Sequence, residues 1–248
     1  MISKSQIKLI HQLQSKKFRK REGLFVAEGP KVVGDLLKRF QPSAIFATAE
    51  YKETLGNNNI EVTEVSEDEL LRISFLQHPQ QVLALFPLSD DTSKVTVDTS
   101  KLALALDSVQ DPGNLGTIIR IADWFGIDTI YCSEDTADAY NPKVVQATMG
   151  SIARVKLVYT DLLSLFTTLP PSYPVYGTLL DGDDIYSQDL SKEGIIVMGN
   201  EGKGISQPLR KFINHRLLIP SFRKGDTAES LNVAVATAIT CSEFRRRS

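Results

Sequence analysis

Two cysteines in 248 residues, Cys132 and Cys241, and three scattered histidines, His11, His78 and His215, leave the sequence without the spacing of a zinc site or a disulfide framework. The chemistry is therefore expected to run without a protein-held metal. No stretch approaches the roughly 18–20 unbroken apolar residues that cross a bilayer. The opening MISKSQIKLIHQLQSKK also lacks the apolar centre of a signal peptide, so a soluble, cytoplasmic protein with no membrane partner is expected. Neither GxGxxG nor a phosphate loop ending in Gly-Lys-Ser/Thr occurs, since Lys203 is followed by Gly204, which argues against an ATPase or a dinucleotide-dependent enzyme. What is present is an ordinary globular composition: 42% hydrophobic and 23% charged residues exclude a disordered or collagen-like chain, and the length suits one large domain or two modest ones.

The net charge of −2 conceals a segregation. Residues 1–40 carry 10 Lys/Arg against 3 Asp/Glu, residues 41–100 carry 3 against 10, and residues 101–248 hold 15 against 17. The basic charge is local. Its densest part is Lys16, Lys17, Arg19, Lys20 and Arg21 around Phe18, a cluster suited to neutralising phosphates beside an aromatic face, with a solvated basic turn as the plain alternative.

Apolar periodicity predicts a helix from Ser3 to about Leu13, a strand over 24–28, a helix after Pro30 with Val32, Val33, Leu36, Leu37 and Phe40 on one face, and strands over 44–48, 60–65 and 81–86. Ser66 with Glu69 is a capping-box signal for a further helix. This describes a small α/β domain over residues 1–90, a polar linker over 91–100, and a larger domain over 101–248. The larger domain starts with the strand LALAL and a helix running from the DPGN turn to Gly126. Alternating strands and helices follow as far as the terminal helix beyond Ser230, predicting a mostly parallel sheet covered by helices.

Three loops follow apolar strands at the carboxyl ends where such sheets gather ligands: DSVQDPGNLGTIIR, MGNEGKGIS and IPSFRKGDTAESLN. In the first, Asn114 is either a helix cap or a functional group, and Arg120 among isoleucines needs an anionic partner. In the second, glycines permit close approach of a ligand and Glu201 is the one carboxylate. In the third, Ser230 and Asn232 open a helix of small apolar residues and are either caps or site residues.

These segments resemble the three motifs of the SpoU (TrmH) family of RNA ribose 2'-O-methyltransferases, within the SPOUT superfamily. LDSVQDPGNLGTIIRIADWFG resembles the first motif, VMGNEGKGIS with Ile219-Pro220 the second, and SLNVAVATAI the third; TMGSIARV is similar to the segment between them. KKFRKREGLFVAEGPK is similar to the L30e-like substrate-binding domain attached to many members. The resemblance implies a SPOUT-type, mostly parallel sheet closed by a deep trefoil knot, and a homodimer formed through the knotted domain. It also implies methyl transfer from S-adenosylmethionine to a ribose hydroxyl of structured RNA, rRNA before tRNA. By the same resemblance the cofactor positions are Thr178, Leu179, Gly199, Ile219, Ser230 and Leu231, and the catalytic group comprises Asn114, Arg120, Glu201, Ser230 and Asn232. RNA contacts fall on Lys16, Lys17, Arg19, Lys20, Arg21, Arg223 and Lys224. Arg120 is implied as base; because a guanidinium holds its proton tightly, stabilisation of the developing alkoxide is an equal reading. The alternatives are a non-catalytic RNA-binding protein on the same fold and an RNA base methyltransferase.

Overall fold

The computed structural model describes residues 2–56, 61–88, 95–223, 225 and 228–246. In chain order the elements are α1 (Lys4–Gln12), α2 (Lys16–Glu22), β1 (Leu24–Glu28), α3 (Pro30–Leu37), β2 (Ala44–Ala47), α4 (Ala49–Leu55), β3 (Val62–Glu64), α5 (Glu67–Ile73) and β4 (Val82–Pro87). There follow β5 (Leu102–Leu106), α6 (Pro112–Trp124), β6 (Thr129–Cys132), α7 (Pro142–Ala147), β7 (Lys156–Tyr159), α8 (Leu162–Thr167) and β8 (Val175–Asp184). Last come β9 (Gly194–Met198), α9 (Gln207–Arg210), β10 (His215–Leu218) and α10 (Val233–Arg246). The chain forms two compact units, one of Met1–Thr92 with Asp138–Ala153, the other of Ser93–Ala137 with Arg154–Ser248. Residues 91–94 of the expected linker lie outside the described residues.

The first unit is built on a four-stranded sheet of order β1-β4-β2-β3, with β4 antiparallel to both neighbours and β2 parallel to β3. Its core gathers Ile10, Leu13, Val26, Phe46, Leu70, Ile73, Leu83 and Leu85, so the apolar face of α1 and the alternate residues of the strands meet as the periodicity required. Both capping boxes form, Ser3 with Gln6 and Ser66 with Glu69. The basic stretch is a helix, α2, closed by Gly23 at φ 67°, where a left-handed residue releases the chain into β1.

Arg19 departs from its expected place on an RNA-binding surface. It is 2% exposed, its Nη1 donates to Leu13 O and Gln14 O at 2.7 Å each, and its Nη2 pairs with Asp138 at 2.5 Å. The physical reason is helical spacing. A helix seven residues long must bury one face, and Arg19 lies on it, while Lys16, Lys17, Lys20 and Arg21 remain exposed. The Arg21 guanidinium lies 4.5 Å over the Phe18 ring and also pairs with Glu22, so the aromatic face is already covered. Asp138–Ala153 completes this unit: the ring of Tyr140 packs 4.8 Å from Phe25, and α7 lies against β1.

The second unit is a six-stranded sheet of order β10-β8-β9-β5-β6-β7 in which every pairing is parallel. The central strands β5 and β9 are buried at every residue, as unbroken apolar runs in a covered parallel sheet must be. Helices α6 and α10 pack together, and Arg245 donates from Nε to Phe125 O at 2.7 Å and from Nη2 to Gly126 O at 2.9 Å, closing the carboxyl end of α6. The C-terminal arginines are thus committed to structure, Arg246 pairing with the buried Glu243; Arg247 lies outside the described residues. Strand β8 is irregular. Tyr176 and Gly177 pair with His215 and Arg216, but the next pairs are Asp183 with Leu217 and Asp184 with Leu218, so residues 178–182 leave the ladder.

Candidate active site

β5 and β9 are parallel neighbours, Leu106 opposite Met198, so the loops that leave them emerge at one edge of the sheet. Three bonds tie these loops together. Asp107 N–H donates to Met198 O at 2.9 Å, the buried Asp107 carboxylate accepts from Ser206 N at 2.7 Å, and Asn200 Nδ2 donates to Ser108 O at 2.7 Å. Ser108 holds φ 60°, a left-handed conformation supported by Ser133, which accepts from its N–H, and Asp135, which accepts from its hydroxyl. The glycine loop then folds on itself through paired Asn200 and Gly204 bonds of 3.0 and 2.9 Å. At Gly199 a Cβ would fall 2.2 Å from the carbonyl carbon of Gly204, so no other residue fits there.

Helix α6 is capped by Asp111, not Asn114. The Asp111 carboxylate accepts from Asn114 N at 2.8 Å and Pro112 occupies the first turn, where its missing N–H costs nothing. The Asn114 side chain is therefore released for other work. Its Nδ2 donates to Glu201 Oε1 at 3.0 Å, and its Oδ1 accepts from Asn232 Nδ2 at 2.9 Å. Asn232 Oδ1 in turn accepts from Ala234 N and Val235 N at 2.9 and 3.3 Å, the first amides of α10. A carboxylate can only accept, so Glu201 fixes the orientation of Asn114, and Asn114 that of Asn232. Asn232 is thus both a helix cap and a member of this hydrogen-bonded cluster.

Glu201 anchors the cluster. Its Oε1 also accepts from Asp111 N at 3.1 Å and its Oε2 from Gln110 N at 3.3 Å. Partial burial pushes this carboxyl up, but the bonds from Asn114 and the backbone amides outweigh that and hold it below its ordinary value. A folded pKa below the unfolded one contributes stability that is fully present above the ordinary 4.5 and is lost as pH falls through the folded value. Glu201→Gln keeps the shape but sets an amide N–H against the Gln110 N–H. Turnover is expected to fall about 10–100-fold, in line with the roughly 1.5–3 kcal/mol of a hydrogen bond to a charged group. Titrating the stability of both proteins should show their difference shrinking below pH 4.5; a difference constant from pH 7 to 3 would remove the charged role.

Not every expected residue joins this cluster. Arg120 is exposed on the outward stripe of α6 with Gly113, Thr117 and Trp124, and it has no hydrogen-bond or ion-pair partner among the described residues. The expectation that its charge sits among buried isoleucines is corrected by the helix period, which turns Ile118 and Ile119 inward and Arg120 out. Ser230 is exposed and makes no hydrogen bond with the described residues. Thr178 donates from Oγ1 to Val197 O at 3.2 Å, Leu179 is buried, Ile219 is half-buried and Leu231 is 50% exposed. Arg223 is exposed beside Phe222; Lys224 lies outside the described residues. The sequence reading missed Asp107, Asp111 and Asn200. Two of them carried a signal: Asp107 directly ends an apolar strand, and Asp111 precedes a proline as helix caps do.

The sequence model of the SpoU rRNA Methylase family matches residues 101–242, the stretch that carries all of this geometry. The chain belongs to that family. In this SpoU chain a second match, to the MRM3-like substrate binding domain, covers residues 4–84. A 23S rRNA (guanosine(2553)-2'-O)-methyltransferase of Bacillus subtilis (strain 168) is 32% identical over 94% of this chain and 93% of its own length. Among solved structures, an RNA methyltransferase of the TrmH family from Porphyromonas gingivalis, described as putative, matches at TM-score 0.89 and 42% identity over the whole of both chains. An AdoMet-bound rRNA methyltransferase from Sinorhizobium meliloti matches this SpoU chain at TM-score 0.86 and 30% identity, covering 100% of it and 97% of the other.

Proposed function

We propose that this protein transfers a methyl group from S-adenosylmethionine to a ribose 2'-hydroxyl of structured RNA, with rRNA the foremost substrate. The observation that carries the reading is the hydrogen-bonded chain from α10 through Asn232 and Asn114 to Glu201, set at the carboxyl ends of β5 and β9 in a SpoU domain. The Bacillus subtilis and Sinorhizobium meliloti proteins named above are rRNA methyltransferases, and the second was solved with AdoMet bound.

The residues present suit the cofactor. Residues 178–182 have no partner in the registers of β8 with β10 and with β9, an irregular stretch suited to receiving a ligand, and the half-buried Ile219 and the exposed Leu231 offer apolar surface for a purine ring beside the buried Leu179. S-adenosylmethionine supplies an electrophilic methyl on a sulfonium that leaves as a neutral thioether. What remains for the protein is to orient the ribose and manage the proton of a weakly acidic hydroxyl. Asn114 and Asn232, locked by Glu201, fix the polar wall of the site. Arg120, without a hydrogen-bond or ion-pair partner among the described residues, is the group available to meet a developing alkoxide or an RNA phosphate.

We assign residues 1–90 to RNA docking through the exposed Lys16, Lys17, Lys20 and Arg21, and residues 101–248 to catalysis, with Arg223 and Lys224 as further RNA contacts. We also infer a homodimer through a trefoil-knotted catalytic domain. In support, Trp124 is 85% exposed near the end of α6, while Leu231, just before α10, and Val235, in its first turn, are each about half exposed, large apolar side chains that a second copy would cover. A cytoplasmic setting agrees with two buried, unpaired cysteines.

Labelled S-adenosylmethionine with total RNA lacking this modification, digested to nucleosides for mass spectrometry, tests the reading. A labelled 2'-O-methyl nucleoside in the large-RNA fraction is expected. A labelled methyl base would replace it with base methylation, and absence of cofactor binding by calorimetry would leave a non-catalytic RNA-binding protein.

A further inference from the structure

The segment that leaves the β8 ladder is held at its two ends by different means. At its start Thr178 Oγ1 bonds Val197 O at 3.2 Å, and Leu179 is buried against the core. At its finish Gly182 lies so close to β10 that a Cβ would stand 2.7 Å from the carbonyl carbon of Leu217. Between them Leu180 is 73% exposed and pairs with no strand. The remaining side chain, Asp181, is gripped from two elements: Arg210 at the end of α9 donates from Nη2 to both carboxylate oxygens at 2.8 Å, and Arg216 of β10 donates to Oδ2. Arg216 pairs with Gly177 at the near side of the register break, which falls between it and Leu217.

The geometry points to Asp181 as a positioning residue for the cofactor: an ionic latch that holds residues 178–182 in the shape that receives S-adenosylmethionine. The inference rests on the methyltransferase reading. Asp181 touches neither reactant; it acts by fixing the backbone of Thr178 and Leu179. Exposed ion pairs contribute little where regular structure already holds the chain. Here residues 178–182 have no partner in the β8–β10 register, so the ion pairs add a restraint against local opening where the register is broken, and such openings set the affinity for a ligand that needs the ordered form. The Arg216 bond comes first in holding the Asp181 carboxyl below its ordinary range, with Arg210 adding to it, so the latch stays ionised throughout the working pH range.

Amide hydrogen exchange on the full chain without ligand is the first test. In Asp181→Asn, residues 178–182 should exchange at least about tenfold faster, with β5 and β9 unchanged and Asp181→Glu close to the parent. Calorimetry should show S-adenosylmethionine binding about tenfold weaker in Asp181→Asn, roughly 1.4 kcal/mol, with KM for the cofactor rising alike and kcat within twofold. Unchanged exchange in Asp181→Asn, or a fall in kcat at constant KM, overturns the latch. Should Asp181→Asn fail to fold by circular dichroism, Arg216→Gln opens the same pair from β10 and is judged by the same criteria. If the parent chain binds no S-adenosylmethionine, the methyltransferase reading fails, while the exchange rates still decide whether Asp181 holds the segment.

Discussion

Arg120→Ala is expected to lower methyl transfer by about 10²–10³-fold, the range found on removing one donor to a developing oxyanion, while stability changes by no more than about 0.5 kcal/mol. The two halves of that expectation have one cause. Arg120 projects from the outward stripe of α6 with no partner among the described residues, so its loss breaks no hydrogen bond or ion pair among them. The helix beneath it is held independently, by Asp111 at one end and Arg245 at the other. Turnover with saturating cofactor and a thermal melt decide the matter. Full turnover would remove Arg120 from the mechanism, and a large drop in Tm would make it a structural residue instead. Arg120→Lys separates the two roles left open for it. A stabiliser of negative charge should be partly replaced by lysine with a flat profile through neutral pH. A base should give a rate that rises with pH as the ammonium, ordinarily near pKa 10.4, begins to lose its proton.

The opposite signature is expected one unit away. Arg19→Ala should destabilise the protein by about 3–5 kcal/mol, because it removes one partner of a buried pair and leaves the Asp138 carboxylate, 17% exposed, without its cation. The carbonyls of Leu13 and Gln14 also lose their donor at the turn between α1 and α2. A single domain is stable by only about 5–15 kcal/mol, so the urea midpoint of the first unit's transition should shift plainly. A change below about 1 kcal/mol would show that the pair is incidental. Lysine replacements at the exposed Lys17 and Lys20 carry no such structural cost, which is why Arg19 should be left out of any charge-removal series aimed at RNA binding.

Arg19 also shows where sequence reading stops. The strands LALAL, GIIVM and QVLALF declare themselves as unbroken apolar runs, and Ser66 with Glu69 declares a helix start, because each signal is contained within a few residues. The α2 stretch KKFRKRE has no apolar face to betray a helix, and the partner that buries Arg19 lies 119 residues further on. The active-site loops were legible as loops because glycines and polar residues follow the strands. Their wiring was not: whether Asn114 caps its helix or reaches Glu201 depends on Asp111 taking the cap, and on Asn232 arriving from the other end of the domain. Thr178 and Leu179 could be carried over from a resemblance, but the break in the β8–β10 register that follows them appears in no local pattern, since it is a property of two strands together.

The contribution of Asp138–Ala153 to the first unit sets a timetable for the nascent chain. When residue 92 has been synthesised, Arg19 still has no carboxylate and Phe25 no tyrosine ring, because Asp138 and Tyr140 have yet to be made. At ribosomal speeds of about 5–20 residues per second, the 61 residues from 92 to 153 take roughly 3–12 s. During that interval Arg19 has only the carbonyls of Leu13 and Gln14 to bond, and the emerging N-terminal sheet waits for the segment that completes its packing.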